Sequence, residues 1–126
     1  MVVLVCGGRG YINKTRVYET LDIIHSGETP ITLLIEGGAA GADLLGKQWA
    51  VERKVPVKTY KADWLRLGNG AGFVRNQQML DEGKPDLVVA FSGGRGTADM
   101  VRRAYLAKVE YVMVTSAGLD AKIRTC

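Results

Sequence analysis

The sequence predicts a three-layer α/β fold, in which helices cover both faces of an open sheet of about five mainly parallel strands. Short apolar runs alternate with amphipathic stretches of helical period along the whole chain. Three of these runs lead into glycine-rich segments, at residues 7–10, 37–41 and 92–97. The connections are short, and short connections between parallel strands form right-handed crossovers that place the strands in one sheet.

The first half of the chain contains five predicted elements. They are a strand over 2–6, a helix from residue 13 or 15 to 25, a strand over 31–35, a helix over 42–54 and a strand over 57–61. Val17, Leu21 and Ile24 indicate the first helix, because spacings of four and three residues place them on one face. Gly27 and Pro30 end this helix.

The second half continues the alternation. A longer connection over 62–70 is followed by a helix over 71–82, a strand over 86–91, a helix from residue 97, a strand over 111–115 and a polar tail over 116–126. Thr97 is expected to cap the last helix, with Val101, Ala104 and Tyr105 facing the sheet. The length of 126 residues suits a single domain of Rossmann-like α/β class.

Composition narrows the class of protein. Seventeen Lys and Arg against 13 Asp and Glu give a net charge of +4, which favours anionic ligands but falls short of a nucleic-acid-binding tail. No apolar run approaches the ~20 residues of a membrane span, and Met1 leads directly into a strand, so we expect a cytoplasmic protein. Cys6 and Cys126 belong to no metal-binding pattern, and Cys6 is expected to pack as a small apolar residue.

The glycine-rich segments predict a ligand site. Loops that follow parallel strands lie along one edge of the sheet, where exposed backbone N–H groups and helix N-termini attract phosphate. The predicted ligand-binding residues of these loops are Gly7, Gly8, Arg9, Gly37, Gly38, Asp43, Ser92, Gly93, Gly94, Arg95, Gly96 and Thr97. We therefore expect a nucleotide or nucleotide-derived ligand.

Two common nucleotide motifs are absent. Residues 41–47 fit the spacing of a P-loop, but Gln48 stands where magnesium binding needs Ser or Thr, and Gly46 falls inside a predicted helix. The first loop lacks the third glycine of the dinucleotide fingerprint, because position 13 is Asn. We expect no cofactor and no metal.

Five segments in order, at 7–11, 36–43, 62–64, 71–80 and 92–100, resemble the YspA-type, cpYpsA-related SLOG family. This family has Rossmann-like domains related to the LOG cytokinin-activating phosphoribohydrolases and to the DNA-processing protein DprA. The resemblance spans about residues 1–115. It implies that residues 92–97 correspond to the phosphate-binding PGGxGT loop of LOG enzymes, with Ser92 in place of proline.

The resemblance also bears on side chains of two helices. Arg75, Asn76 and Met79 resemble an Arg-Lys-x-x-Met stretch whose arginine serves the LOG active site. A guanidinium offers a fork of donors suited to phosphate, so Arg75 and Asn76 are predicted to bind the ligand. Met100 stands where LOG enzymes carry a catalytic glutamate, and Asp99, one residue earlier, is rotated from it by about 100°.

Other carboxylates remain as candidates for catalysis. Glu36 ends the second strand and Asp63 lies in the long connection, and both are preferred to Asp43, whose position suits a first-turn acid of a helix. Trp64 is open to two interpretations, a surface for stacking a base or a packing anchor. The only histidine, His25, is placed at the edge opposite the glycine loops.

Three functions are compatible with these features. Binding of a nucleotide or nucleotide-derived ligand is preferred. The first alternative is LOG-like hydrolysis of the N-glycosidic bond of a nucleoside 5′-monophosphate, which needs a carboxylate beside the anomeric carbon and is weakened by Met100. The second alternative is DprA-like binding of single-stranded nucleic acid. Such binding needs aromatic side chains on which bases stack, but the chain has nine aromatic residues and most of them lie on predicted core faces. Whether the protein is an enzyme stays open, and the resemblance to LOG enzymes implies a homodimer.

Overall fold

Five parallel strands and one antiparallel strand form the sheet. The computed structural model describes residues 1–115 and the backbone of 123–124, so most of the predicted polar tail, at 116–122 and 125–126, lies outside the described residues. The strands are β1 (Val2–Cys6), β2 (Leu33–Glu36), β3 (Val57–Thr59), β4 (Leu87–Ala90), β5 (Glu110–Met113) and β6 (Ile123–Arg124). The helices are α1 (Lys14–His25), α2 (Ala42–Glu52), α3 (Trp64–Leu67), α4 (Ala71–Gly83) and α5 (Arg95–Leu106).

The strand order is β3-β2-β1-β4-β5-β6, with β6 antiparallel to β5. This order confirms the predicted Rossmann-like α/β fold, although β6 was not expected. Strands β1 and β4 lie side by side in the middle, and Cys6 is paired with Ala90 where the two strands end. The chain leaves β1 and β4 toward opposite ends of the strand order, which makes this point the topological switch where α/β folds bind ligands.

Helices cover both faces of the sheet. On one face, Val17 and Leu21 of α1 and Trp49 of α2 pack against the strands. On the other face, Met79 of α4 and Met100 of α5 do the same. Because β1 is covered on both sides, its apolar run is buried continuously rather than in alternation, as is usual for a central parallel strand.

The start and end of α1 and the place of Gly46 agree with the sequence-based predictions. Asn13 caps α1, since its Oδ1 accepts a hydrogen bond from the Arg16 amide at 3.0 Å. His25 lies at the C-terminal end of α1, where its Nδ1 accepts a hydrogen bond from the Ile31 amide at 3.1 Å. Gly46 lies within α2, and a Cβ there would come within 3.0 Å of the Val5 side chain. Glycine at this position therefore lets α2 pack closely on β1, a packing role rather than a P-loop role.

Three predictions of detail were wrong. Helix α5 begins at Arg95 rather than Thr97, with Gly94 at the N-cap and no side-chain cap, so Thr97 lies in the first turn. Tyr105 does not face the sheet, because it is 53% exposed. The connection over 62–70 is not a plain loop, since it contains α3 and a 3₁₀ turn over Gly68–Gly70.

The helices of residues 1–115 are short. The longest, α4, has 13 residues. Within this part of the chain, none combines the length and the apolar character that crossing a bilayer requires.

Candidate functional site

A cavity of about 390 Å³ lies at the edge where β1 and β4 end. It brings together residues predicted from all three glycine-rich loops and from α4. These are Gly7, Gly8, Arg9, Asp43, Arg75, Asn76, Gly94, Arg95, Gly96 and Thr97. The remaining predicted residues, Gly37, Gly38, Ser92 and Gly93, lie beside this cavity and line two neighbouring ones.

The first and second loops are held together by backbone contacts. The Gly8 carbonyl accepts hydrogen bonds from the amides of Tyr11 at 3.1 Å and Ala42 at 3.2 Å. Gly41, the N-cap of α2, has φ +78° and ψ −127°, a conformation open to glycine. A Cβ on Gly41 would overlap the Gly8 carbonyl oxygen and lie 2.6 Å from that of Arg9. Glycine at position 41 therefore allows the two loops to meet.

The first and third loops also touch. The Gly8 amide donates a hydrogen bond to the Ser92 carbonyl at 3.0 Å. A Cβ on Gly93 would lie 2.6 Å from the Gly8 nitrogen, so this glycine is needed for the close approach. By contrast, a Cβ on Gly94 or Gly96 would meet nothing within 4 Å. Ser92 and Gly93 thus hold the loop in place, and Gly94 and Gly96 border open space in the cavity.

The N-terminus of α5 opens onto the cavity. Residues Arg95, Gly96 and Thr97 form its first turn, and all three line the cavity. The first amides of a helix have no acceptors within the helix, and the helix dipole makes this end positive. No side chain caps α5 in the described part of the chain. This end of the helix is suited to an anion.

Arg75 and Asn76 connect the second loop to α5. Asn76 is only 4% exposed, and its Nδ2 donates hydrogen bonds to the Gly96 carbonyl at 3.1 Å and to Asp99 Oδ2 at 3.0 Å. Its Oδ1 accepts a hydrogen bond from Arg75 Nε at 3.3 Å, and Arg75 Nη1 donates to the Gly37 carbonyl. Among the described residues Arg75 has no carboxylate in ion-pair contact. Its positive charge borders the cavity without a direct ion pair.

Asp43 is the carboxylate of this cavity within the described part of the chain. It is 5% exposed, and its Oδ2 accepts hydrogen bonds from the amides of Gly37 at 3.1 Å and Ala39 at 3.3 Å. Burial raises the pKa of Asp43 to about 6, and the nearby Glu36 carboxylate acts in the same direction. The two amides and the Arg75 charge oppose this rise in pKa without cancelling it.

Glu36 and Asp63 do not line this cavity. Glu36 is 1% exposed, with Oε1 accepting a hydrogen bond from the Gly38 amide at 2.7 Å and Oε2 accepting one from Thr59 Oγ1. Asp63 caps α3 through the Arg66 amide at 3.2 Å and contacts Arg66 Nε at 2.9 Å. Both carboxylates thus have partners within the chain, and their catalytic roles remain predictions.

Position 100, where LOG enzymes carry a catalytic glutamate, lies in the core of this protein. Met100 is fully buried and packs with residues of α4 on one face of the sheet. Asp99 forms an ion pair with Arg103 Nε at 2.7 Å and is not part of the cavity lining. A side chain at position 100 therefore does not reach the cavity.

The segment from α3 into α4 adds three side chains to the site. Asn69 and Phe73 were not predicted there, whereas stacking of a base was one of the two interpretations left open for Trp64. Trp64, Asn69 and Phe73 line the cavity. Trp64 is 46% exposed, and the Arg9 guanidinium lies 5.1 Å from the centre of its ring. Asp63, a residue type favoured at helix N-caps, is the sequence signal that could have located the start of α3.

Cys6 also lines the cavity but is not suited to nucleophilic chemistry. It is a buried free cysteine. Burial raises the pKa of its thiol well above the usual range, with the Asp43 charge adding to the effect. The thiol is therefore protonated at neutral pH, in agreement with a packing role.

Comparison with known proteins agrees with the fold and with the family that the sequence resembles. Gene 61 protein of Mycobacterium phage D29 is 34% identical over 119 residues, covering 87% of this chain and 93% of that protein. The crystal structure of UDP-GlcNAc 2-epimerase from Neisseria meningitidis bound to UDP-GlcNAc is similar in fold, with a TM-score of 0.55 and 14% identity. That similarity covers 90% of this chain, which spans about a third (32%) of the epimerase. Residues 1–67 match the model of the family described as YspA, cpYpsA-related SLOG, and the chain belongs to this family.

Proposed function

We propose that this protein binds a nucleotide or nucleotide-derived ligand in the 390 Å³ cavity, with a phosphate at the N-terminus of α5. One observation carries the proposal: the uncapped first turn of α5 and the Arg75 side chain border the same cavity. Backbone amides of a helix N-terminus and a guanidinium both donate to phosphate oxygens. Their presence on one cavity predicts a phosphate between them.

The rest of the cavity suits the other parts of a nucleotide. Its volume falls within the ~300–1,000 Å³ typical of small-molecule sites. Trp64, Phe73 and Met79 supply apolar surface, and Trp64 and Phe73 offer rings on which a base can stack. Family membership is compatible with this ligand class, and the epimerase of similar fold binds a nucleotide sugar.

Isothermal titration with a panel of nucleoside mono- and diphosphates tests the proposal. We expect at least one of these compounds to bind, and Gly96→Val to weaken its binding by at least tenfold. Gly96 lines the cavity, and a Cβ at this position would meet nothing within 4 Å. A valine side chain therefore fits beside the helix N-terminus without a clash. Arg75→Ala should weaken binding by roughly 10- to 100-fold, the usual effect of losing a charged hydrogen bond.

Gly70→Val is the matched control for Gly96→Val. A Cβ at position 70 likewise meets nothing within 4 Å, but Gly70 does not line the cavity. Its φ of −81° is accessible to valine, so we expect binding to stay within twofold of the unchanged protein. Absence of binding across the whole panel, or equal affinities for Gly96→Val and Gly70→Val, would contradict the proposal.

A further inference from the structure

A second cavity, of about 400 Å³, adjoins the first on the side of the second glycine loop. The side chains that supply its charge are Arg9, Lys61 and Arg75. No carboxylate of the described residues lines it, whereas Asp43 lines the first cavity. The amides of Gly37 and Gly38 already donate to the carboxylates of Asp43 and Glu36, so an anion in this cavity would be held by the three cationic side chains rather than by these amides.

The positive charges of this cavity are not paired directly with carboxylates in the described part of the chain, although the buried Asp43 carboxylate interacts with Arg75 at longer range. None of the three cations takes part in an ion pair there. Arg9 lies over the Trp64 ring, a contact that positions the guanidinium without cancelling its charge. Three like charges around one space repel each other, and an anion between them would relieve this repulsion.

The two cavities adjoin each other and share part of their lining. Arg9, Ala39, Trp64 and Arg75 line both of them. Arg75 thus lies between the α5 N-terminus on one side and Lys61 on the other. A ligand with its first phosphate at α5 can therefore extend past Arg75 into the second cavity.

We propose that the cavity bounded by Arg9, Lys61 and Arg75 binds a second anionic group of the same ligand. This inference rests on the proposed function and narrows the ligand class. The preferred ligand is a nucleotide with two separated phosphate groups, rather than a nucleoside monophosphate. Lys61 is the residue that distinguishes the two classes, because it lines the second cavity and not the first.

The test compares a nucleoside 5′-monophosphate with the 3′,5′-bisphosphate of the same nucleoside by isothermal titration. The bisphosphate is expected to bind at least fivefold more tightly than the monophosphate. Lys61→Met, which keeps the apolar stem and removes the charge, should abolish this difference. The affinity for the monophosphate should stay within twofold, because Lys61 does not line the first cavity.

Lys58→Met is the matched control, since it also replaces one lysine with methionine. Lys58 is an exposed residue of β3, and its ammonium group lies over the Tyr60 ring. This variant should retain the preference for the bisphosphate. If the monophosphate binds and the bisphosphate binds no better, or if Lys61→Met and Lys58→Met act alike, the second subsite is refuted and the proposed function stands. If no compound of the nucleotide panel binds and the bisphosphate does not bind either, both proposals are overturned.

Discussion

Replacing Gly41 with alanine is expected to lower the free energy of unfolding by roughly 3–5 kcal/mol. Two effects add at this position. The φ of +78° and ψ of −127° strain any residue with a Cβ, and the new methyl group would overlap the Gly8 carbonyl oxygen. That carbonyl belongs to backbone already bonded to Ala42, so it cannot move aside without separating the first two loops. Urea denaturation followed by circular dichroism measures the change.

Gly68→Ala separates the two effects. Gly68 also has a positive φ, +58°, but a Cβ there would meet nothing within 4 Å. This variant should therefore show the backbone strain alone, about 1–2 kcal/mol. If Gly41→Ala proves no less stable than Gly68→Ala, the close contact of the two loops is not what requires glycine at position 41.

The stability of the protein should carry a pH dependence that originates from Asp43. Its pKa is raised to about 6 in the folded protein, against an ordinary value of 3.8, so the folded state holds this proton more tightly than the unfolded state. The resulting stabilisation is fully present below about pH 4 and is lost as the pH rises through 6. The pKa difference corresponds to roughly 3 kcal/mol.

Asp43→Asn isolates this contribution, because asparagine does not titrate and its amide oxygen can still accept from Gly37 and Ala39. Denaturation of both proteins between pH 4 and pH 7 gives the free energy of unfolding of each. The unchanged protein should lose about 3 kcal/mol relative to Asp43→Asn across this range. A difference that stays constant, or that grows in favour of the unchanged protein as the pH rises, would refute a raised pKa at Asp43.

Sequence patterns predicted the fold well because strands β1, β2 and β4 are buried apolar runs that lead into glycine-rich segments. The pairing of Cys6 with Ala90 then brings the first and third loops together, as the strand-loop-helix order implies. The predicted helices α1, α2 and α4 agree closely with the structure, because apolar residues at helical spacing mark α1 and α2 and Pro85 follows the end of α4.

The start of α5 was harder to predict. Glycine disfavours a helix interior, so the pattern placed the start at Thr97, a good capping residue. In the folded protein the Asn76 side chain binds the Gly96 carbonyl and supports the first turn from outside. Helix α3 was not predicted, because its four residues are too few to show a helical period of apolar residues.

The orientations of the acidic side chains could not be inferred from sequence. Glu36 ends a strand at the ligand edge, yet its carboxylate is bonded to Gly38 and Thr59. Asp43 was predicted as a ligand-binding residue but ranked below Glu36 and Asp63 for catalysis, because its position also suits a first-turn acid, and it is the one of the three that lines the cavity. The turn at Gly41 and the path of the second loop determine both orientations, and these depend on contact with the first loop.

An NMR titration tests most directly whether the α5 N-terminus binds phosphate. Nitrogen-15-labelled protein is titrated with the tightest-binding nucleotide of the panel, and the backbone amide shifts are followed residue by residue. The amides of Gly94, Arg95, Gly96 and Thr97 should show the largest saturable shifts, since they form the start of the helix beside the cavity. Saturable shifts confined to the opposite edge of the sheet, near Gly27 and Ile31, would contradict a phosphate site at this helix.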